Sequence, residues 1–498
     1  MVTRNSKIQN NLQANINEIS EKLGWSSDLM IRTFTLKGIG LRVSIIFFEG
    51  SIDAHSLETH IIEPLMTFEM PLKYEEQGLL NFLIQHVIQV KAVRMVESME
   101  DAIHEIVNGK TLLVVDDMPL FISADIVKWN EKGLTNPKAQ RVTKGPDIAF
   151  TENRTTNISL LRKVIKNPDL RIETKSYGKK TSTDVSIVYL DTSVQNEILT
   201  EIKKRLDKIE LEVVLESNYI EEGLTEESKS IFPLMLNTDR PDVVAAEILE
   251  GKIGIIVDGS PFVLVAPAVF IQFFQTPEDY YIQLENNKWL RLFKMILYAV
   301  SIVVPGLYVA FTTHHPNLLP IQLLISFVSQ REVVPFPTVV EIILLGAMIE
   351  AIYEASNRVP QNVVLTISVF GAIVLGQSAV ESQLIQPATL VVMSASYIMT
   401  SVVPIWVMRN VARYLVLIFI IAGATFGLYG IFLATLIVLF HLCNLRSFGV
   451  PYLAPFAPFR VRDQKDGLLR SSIEDVANNF PVFSKEETLQ QTEDDNKN

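Results

Sequence analysis

The chain has 498 residues, of which 48% are hydrophobic, and its formal net charge at pH 7 is −12. The negative net charge, without a basic stripe interleaved with aromatic residues, argues against nucleic-acid binding. The hydrophobic content is too high for an ordinary soluble protein of this length, so we expect part of the chain to lie in a membrane.

Hydrophobic residues are concentrated in the second half of the sequence. Up to about Glu285 the chain is dense in Lys, Glu and Asp, whereas residues 290–441 contain long stretches with almost no charge. The first twenty residues lack the apolar core of a secretory signal peptide, which favours a cytoplasmic N-terminal half. Cys443 is the sole cysteine, which excludes an internal disulfide bond. We predict a soluble half followed by a membrane half.

The soluble half contains an internal repeat. Two separated segments recur at one offset of 142 residues: VSIIFFEG (43–50) as VSIVYLDT (185–192), and EIVNGKTLLVVDDMP (105–119) as EILEGKIGIIVDGSP (247–261). In each copy the pattern predicts a β-branched strand, helical stretches and a short buried strand. Gly109 and Gly251 come at predicted helix ends, where a left-handed residue is favoured. The predicted fold is an α/β cytosolic domain made of two tandem homologous subdomains.

Neither copy carries a recognisable catalytic or cofactor motif. None of the seven histidines has a His-x-x-x-His spacing, and no Gly-x-Ser-x-Gly or P-loop sequence is present. Asp116, Asp117 and Asp258 follow predicted strands, where Asp is a favoured turn residue as well as a metal ligand. We therefore predict that the protein is not an enzyme and has no catalytic residues, metal ion or cofactor.

Apolar runs of about 20 residues predict membrane-spanning helices. We expect about five spans, at residues 291–312, 337–355, 363–380, 388–408 and 414–442, with a short interfacial helix at 317–330. The last run fits either one long tilted span or a pair of half-spans broken near Gly427 and Gly430, and the arginines after it favour the pair. Lys288, Arg291 and Lys294 flank the first span and predict a cytoplasmic N-terminal half.

The second predicted span contains three glutamates, which are costly inside a bilayer unless they are paired, protonated or exposed to water. Glu350, Glu354 and Arg358 are spaced by four residues and are predicted to form an interfacial charge network on one helix face. Glu341 is predicted to lie on the opposite face, beside the break at 335–337. It therefore needs a hydrogen-bond or ion-pair partner other than Arg358. Glu341 is a candidate for lining a pore or for coupling a conformational change to it.

The third predicted span carries a small-residue stripe, namely Ser368, Ala372 and Gly376, at intervals of four residues. Gln377 and Glu381 follow at its end. Such a stripe allows close helix packing or lines a narrow conduit, and the sequence leaves both interpretations open. These five residues join the glutamate beside the break as candidates for a pore or for coupling.

Several segments, in order, resemble the A subunits of GerA-type spore germination receptors. They are FFQTPEDYY before the first span, LYVAFTTHHPNLLP after it, VPFPTVVE, GAIVLGQSAVE and LRSFGVPYLAPFAPF. The connector KGPDIAFTENRTTNISLLRK is also similar to that family, and the likeness runs from about residue 41 to residue 459.

The resemblance implies a membrane subunit of a nutrient germinant receptor in the inner membrane of bacterial spores. Such receptors combine this subunit with an amino-acid-transporter-like B subunit and a lipoprotein C subunit. The A subunits are thought to form homo-oligomers that act as nutrient-gated cation channels and trigger germination. One alternative is a paralogous spore membrane protein associated with the dipicolinate channel, and another is a non-conducting scaffold or transporter subunit.

These observations divide the chain into six parts. We predict an N-terminal helical lead (1–35), a first α/β subdomain (36–140), a connector (141–180), a second α/β subdomain (181–285), an all-α polytopic transmembrane domain (286–446) and a cytoplasmic C-terminal segment with a disordered acidic tail (447–498).

Overall fold

The computed structural model describes residues 8–37, 40–67, 78–129, 135–225, 230–283, 289–459, 467 and 485. The chain divides into two compact units. The first contains Met1–Lys229, Leu234–Ala268 and Phe480–Asn498, and the second contains Ser230–Pro233 and Val269–Asn479. Most of the predicted acidic tail, Lys288, Arg460 and Arg462 lie outside the described residues.

The first half of the first unit is a five-stranded antiparallel sheet with helices on both faces. Its strands are β1 (Leu29–Thr35), β2 (Arg42–Phe48), β3 (Val93–Val96), β4 (Thr111–Val115) and β5 (Phe121–Ala124), in the spatial order β1-β2-β4-β5-β3. Its helices are α1 (Leu12–Lys22), α2 (54–67), α3 (79–87) and α4 (Met99–Val107). α1 and α4 cover one face, and α2 and α3 cover the other. β4 is therefore buried at every position and has a continuous apolar sequence.

The second half of this unit has the same architecture. Its strands are β6 (Leu170–Tyr177), β7 (Thr183–Leu190), β8 (Leu236–Thr238), β9 (Ile253–Val257) and β10 (Val263–Ala266), in the order β6-β7-β9-β10-β8. Its helices are α5 (Arg154–Val164), α6 (Asn196–Lys208), α7 (Ser217–Thr225) and α8 (Pro241–Leu249). The predicted two-sheet α/β region is confirmed. The subdomains were predicted to begin at residues 36 and 181. The first strand of each sheet lies before these residues, since β1 begins at Leu29 and β6 at Leu170.

Left-handed glycines end the two helices that precede the central strands. Gly109 and Gly251 have φ values of 86° and 99°. After α4, the amide of Lys110 donates to the carbonyl of Glu105 at 3.1 Å, which is the closing bond of a Schellman motif. α8 ends in the same way. The prediction made from these glycines is confirmed.

A buried ion pair joins the two halves of the first unit. Arg162 of α5 donates from Nε and Nη2 to the two carboxylate oxygens of Asp28 at 2.9 and 3.0 Å, and both side chains are 2% exposed. The same Nη2 donates to Ser26 Oγ at 2.9 Å, and the guanidinium lies 4.0 Å from the ring centroid of Phe48. The amide of Ile172 in β6 also donates to Ser26 Oγ, at 3.1 Å. The segment before β1 therefore contacts both α5 and β6.

The second unit is mainly helical. Its helices are α9 (Glu278–Tyr281), α10 (Leu290–Thr313), α11 (Ile321–Val333), α12 (Thr338–Arg358), α13 (361–381), α14 (Pro387–Thr400) and α15 (Trp406–Asn444), with a 3₁₀ turn at Phe270–Phe274. Among the described residues, three helices are long and apolar enough to cross a membrane: α10, the Val363–Glu381 part of α13, and α15. α11 and α12 meet at a bend of 77°, and together they would make a fourth candidate span if they form one broken span. The five predicted spans are not confirmed.

The predicted fourth span, 388–408, is interrupted in the structure. α14 ends at Thr400 after 14 residues, and α15 begins at Trp406. Fourteen helical residues extend about 21 Å, less than the roughly 30 Å of the hydrocarbon core. The turn contains Pro404, which lacks the amide that a helix interior requires. Hydropathy alone missed the break because the residues in the turn are almost all apolar.

α15 is divided at Gly427, which has φ 61° and ψ −141°. Beyond it, a Cβ atom on Gly430 would lie 2.1 Å from the carbonyl oxygen of Ala422. Residues eight apart in a continuous helix are separated by about 12 Å, so the two segments fold back against each other. We call them α15a (406–426) and α15b (428–444). Of the two interpretations that the sequence left open, the structure has the broken pair.

Candidate functional site

A fully buried carboxylate lies in the first turn of α12. Glu341 accepts a hydrogen bond from Gln386 Nε2 at 3.1 Å and another from Thr389 Oγ1 at 3.0 Å. Both donors are at the start of α14. The hydroxyl of Tyr308, in α10, lies 3.1 Å from Thr389 Oγ1 and donates to Gln386 Oε1 at 3.4 Å. We call these four residues the Glu341 cluster.

The antiparallel packing of α10 and α14 positions this cluster. Tyr308, near the end of α10, meets Thr389, near the start of α14. Two turns earlier in α10 and two turns later in α14, Ser396 Oγ donates to the carbonyl of Ser301 at 2.6 Å. Tyr308 is 18 residues after the first residue of α10, which corresponds to about 27 Å of helix. The cluster therefore lies at the end of the helical unit opposite to the start of α10.

The Glu341 cluster supplies neutral hydrogen-bond donors and no cationic side chain. In the part of the chain that the structure describes, no Lys, Arg or His forms an ion pair with Glu341. Thr338 Oγ1, one turn earlier, is buried without a hydrogen-bond partner among those residues. Both carboxylate oxygens of Glu341 thus accept a hydrogen bond from α14, which offsets the cost of burying a polar group. Among the described residues, no group of three or more His, Cys, Asp or Glu is placed to hold a metal ion.

Three of the other predicted pore residues, Gly376, Gln377 and Glu381, lie on an open surface of α13. An added Cβ on Gly376 would have no atom within 4 Å, and Gln377 is exposed and donates to Glu381 Oε1 at 3.1 Å. The side chains of Ser368 and Ala372 lie outside the described part of the structure. No described hydrogen bond links the Glu341 cluster to Gln377 or Glu381. Within one chain, the buried glutamate and the exposed end of α13 are separate features.

The residues of the predicted interfacial network form two ion pairs. Arg358 pairs with Glu354 at 2.5 Å on an exposed surface of α12. Glu350 pairs with Arg413 of α15a at 2.6 Å, and the Arg413 guanidinium lies 4.6 Å from the ring centroid of Tyr353. Sequence reasoning missed the second pair because spacing along α12 carries no information about which helix packs beside it.

A second buried charge cluster precedes and enters α10. The carboxylate of Asp279 lies 3.4 Å from Arg291 Nε and 3.6 Å from Lys294 Nζ. Thr276 Oγ1 donates to Asp279 Oδ1 at 2.8 Å and accepts from Lys294 Nζ at 3.0 Å. Two of the basic residues that flank the first span, Arg291 and Lys294, are therefore paired with an acid from the segment TPED.

The segments before the first helix and after the last one contact each other. The amide of Phe270 donates to the carbonyl of Tyr452 at 2.8 Å, and their ring centroids are 6.2 Å apart. Phe232 and Phe273 also pack against the Tyr452 ring, at 6.3 Å each. Burial raises the pKa of the Tyr452 phenol well above its usual value. This aromatic contact joins two of the segments on which the family resemblance was based.

Comparison with known proteins agrees with that resemblance. Residues 17–479 match the family described as Bacillus/Clostridium GerA spore germination protein. The chain belongs to the GerA family. Spore germination protein KA of Bacillus subtilis (strain 168) is 36% identical over 93% of this chain and 85% of its own length. Spore germination protein GerLA of Bacillus cereus is 32% identical over 93% of this chain and 94% of its own length.

A solved structure also matches the GerA-family chain. It is the crystal structure of the N-terminal domain of the A subunit of the Bacillus megaterium spore germinant receptor GerK3. The match covers 54% of this chain and 100% of the GerK3 chain, with 34% sequence identity and a TM-score of 0.44. The family match itself extends through both sheets and all the apolar helices. The Glu341 cluster and the exposed end of α13 are thus features of a GerA-family membrane protein.

Proposed function

We propose that this chain is the A subunit of a nutrient germinant receptor in the spore inner membrane, and that several copies form a nutrient-gated cation channel. Besides family membership, one observation supports the channel. The apolar window of α13 is long enough to cross a membrane, yet only 7% of it is buried within the chain, compared with 44% for α10. Its exposed surface ends in Gln377 and Glu381. In a bilayer, these two polar side chains are stable when they face protein or water.

In the proposed ring, α13 of each copy lines a narrow conduit with the small-residue stripe. Gln377 and Glu381 form polar rings at one end of it, and a ring of carboxylates favours cations over anions. Glu341 has a different role because it is buried among helices of its own chain. It is a coupling residue, which holds the start of α12 against α14 and alters gating when that contact changes.

The partners in the proposal follow from the family resemblance. A transporter-like B subunit binds the nutrient, and a lipoprotein C subunit completes the receptor. The two-sheet unit lies in the cytoplasm, in agreement with the basic residues at the start of α10. It transmits or stabilises the change that opens the channel.

Conductance of the full-length chain in liposomes, with its partner subunits, tests the assignment of α13. We expect the double variant Gln377→Leu/Glu381→Gln to lower the cation-to-anion permeability ratio severalfold, because the polar rings are removed. Glu354→Gln is the matched control, since it removes an exposed carboxylate from α12 instead. Glu341→Gln should change open probability and leave selectivity intact. Unchanged selectivity in the double variant would show that α13 does not line the conduit.

The oligomeric state is a separate test of the ring. The mass of the detergent-solubilised protein, measured by light scattering with correction for bound detergent, should correspond to a closed assembly of several copies. A monomer that remains monomeric in lipid nanodiscs would refute the ring and favour a non-conducting scaffold.

A further inference from the structure

A cavity outside the proposed conduit opens between α12, α14 and α15a. Its volume is about 670 Å³, and its walls include the apolar side chains of Ile342, Met393 and Leu417. Pockets that bury a small organic ligand have volumes of about 300–1,000 Å³. The cavity is therefore large enough for part of a lipid-sized molecule, and its lining is compatible with an acyl chain.

Two arginines line one end of this cavity. Arg413 is already engaged by Glu350 and by the ring of Tyr353. Arg409, one turn earlier in α15a, has no ion-pair partner among the described residues, and its Nε is buried without a hydrogen-bond acceptor there. A buried donor left unpaired is costly, and the cost is greater for a charged group. The cavity therefore offers a cationic end with an unused donor.

The cationic end lies at one edge of the membrane part. α12 and α14 run parallel, because Glu341 contacts Thr389 near their starts and the rings of Tyr353 and Tyr397 lie 6.3 Å apart near their ends. Arg409 and the other cavity-lining arginine are in the first two turns of α15a, beside those helix ends. The two arginines are thus at the edge of the membrane part, and the apolar walls of the cavity extend inward from them. This arrangement is complementary to an anionic amphiphile, which has a charged head group and an apolar chain.

We propose that this cavity binds an anionic phospholipid, with its phosphate at Arg409 and Arg413 and an acyl chain along the apolar walls. Phosphate oxygens match the planar donors of a guanidinium, and basic pockets between membrane helices on the cytoplasmic side bind anionic head groups. The phosphate pairs with the Arg409 guanidinium, which has no ion-pair partner among the described residues. A zwitterionic lipid binds more weakly because its ammonium group repels the arginines. The site is independent of whether the oligomer conducts ions.

Native mass spectrometry of the full-length chain tests the proposal directly. The protein is incubated in detergent with equal amounts of phosphatidylglycerol and phosphatidylcholine, and retained lipids are counted. We expect phosphatidylglycerol to be preferred, and Arg409→Gln to reduce its retention about fivefold, the effect of one basic residue beside an anionic group. Arg409→Lys should retain most of the binding. Arg358→Gln is the matched control, because Arg358 is paired with Glu354 and does not line the cavity.

A second variant tests the apolar part of the cavity. Ala347 lines it, so Ala347→Trp should fill the space and reduce retention of phosphatidylglycerol while the protein keeps its elution volume. Equal retention by Arg409→Gln and Arg358→Gln would overturn the proposal, as would unchanged retention by Ala347→Trp. Cross-linking of Ala347→Cys between two copies, equally efficient with either lipid, would show that a second chain occupies the cavity and would also overturn it.

Discussion

Removal of one partner of the buried Arg162–Asp28 pair is expected to loosen the joint between the two sheets. Asp28→Ala deletes the acceptor of hydrogen bonds at 2.9 and 3.0 Å and leaves a guanidinium that is 2% exposed without its counter-charge. Breaking a buried ion pair in this way costs about 3–5 kcal/mol. Ser26 and the Phe48 ring contact the same guanidinium in the native protein, so they offer no new compensation.

Hydrogen exchange measured by mass spectrometry on the full-length protein in detergent resolves this effect. The opening free energy of β1 and β6, the strands that flank the joint, should fall by about 3–5 kcal/mol in Asp28→Ala. Asp28→Leu/Arg162→Met should recover much of the loss, because no charge remains buried. Lys180→Ala is the control: Lys180 pairs with Glu212 at 2.5 Å, but both side chains are at least 69% exposed, and such pairs contribute about 0–1 kcal/mol.

If Asp28→Ala lowers the opening free energy of β1 and β6 no more than Lys180→Ala does, the buried pair does not hold the two sheets together. A loss confined to β1 would show that α5 and β6 are held by other contacts.

Three further predictions concern a titrating group, a helical turn and an ion pair. Burial raises the pKa of Glu221 from 4.5 to about 7, so its stabilisation of the first unit is complete below about pH 4.5 and is lost as the pH rises through 7. Glu221→Gln should remove that pH dependence from thermal unfolding. Gly430→Val should lower the melting temperature by roughly 2–10 °C, because its Cβ would lie 2.1 Å from the Ala422 carbonyl oxygen. A double-mutant cycle of Glu350→Ala and Arg413→Ala should give a coupling of about 0.5–1 kcal/mol, since both side chains are partly exposed; a value near zero would contradict the pairing.

The repeat in the first unit was predictable because its signals depend on residues that are close together in the sequence. The strands β4 and β9 are buried on both faces, so each has an uninterrupted apolar run, and they begin 142 residues apart at Thr111 and Ile253. The glycine after each preceding helix has a left-handed backbone, which few other residues adopt. Both signals depend on neighbours in the chain, and sequence periodicity reports such neighbours directly.

The candidate site was predictable only in part. Helical spacing placed Glu341 and Glu350 on different faces of α12, but their partners are far away in sequence. Gln386 and Thr389 are 45 and 48 residues beyond Glu341. Arg413 approaches Glu350 from another helix, beyond the break at 401–405 that hydropathy did not reveal. Periodicity gives the face of a helix, whereas the partner is decided by tertiary packing.

The hydrogen bond between Phe270 and Tyr452 constrains the topology of the helical unit. Phe270 precedes the first apolar helix, and Tyr452 follows the last. Since the two residues touch, we expect the chain to enter and leave the bilayer on one side, and therefore to cross it an even number of times between them. Reporter groups attached before residue 270 and after residue 452 should be accessible from the same side of a sealed vesicle.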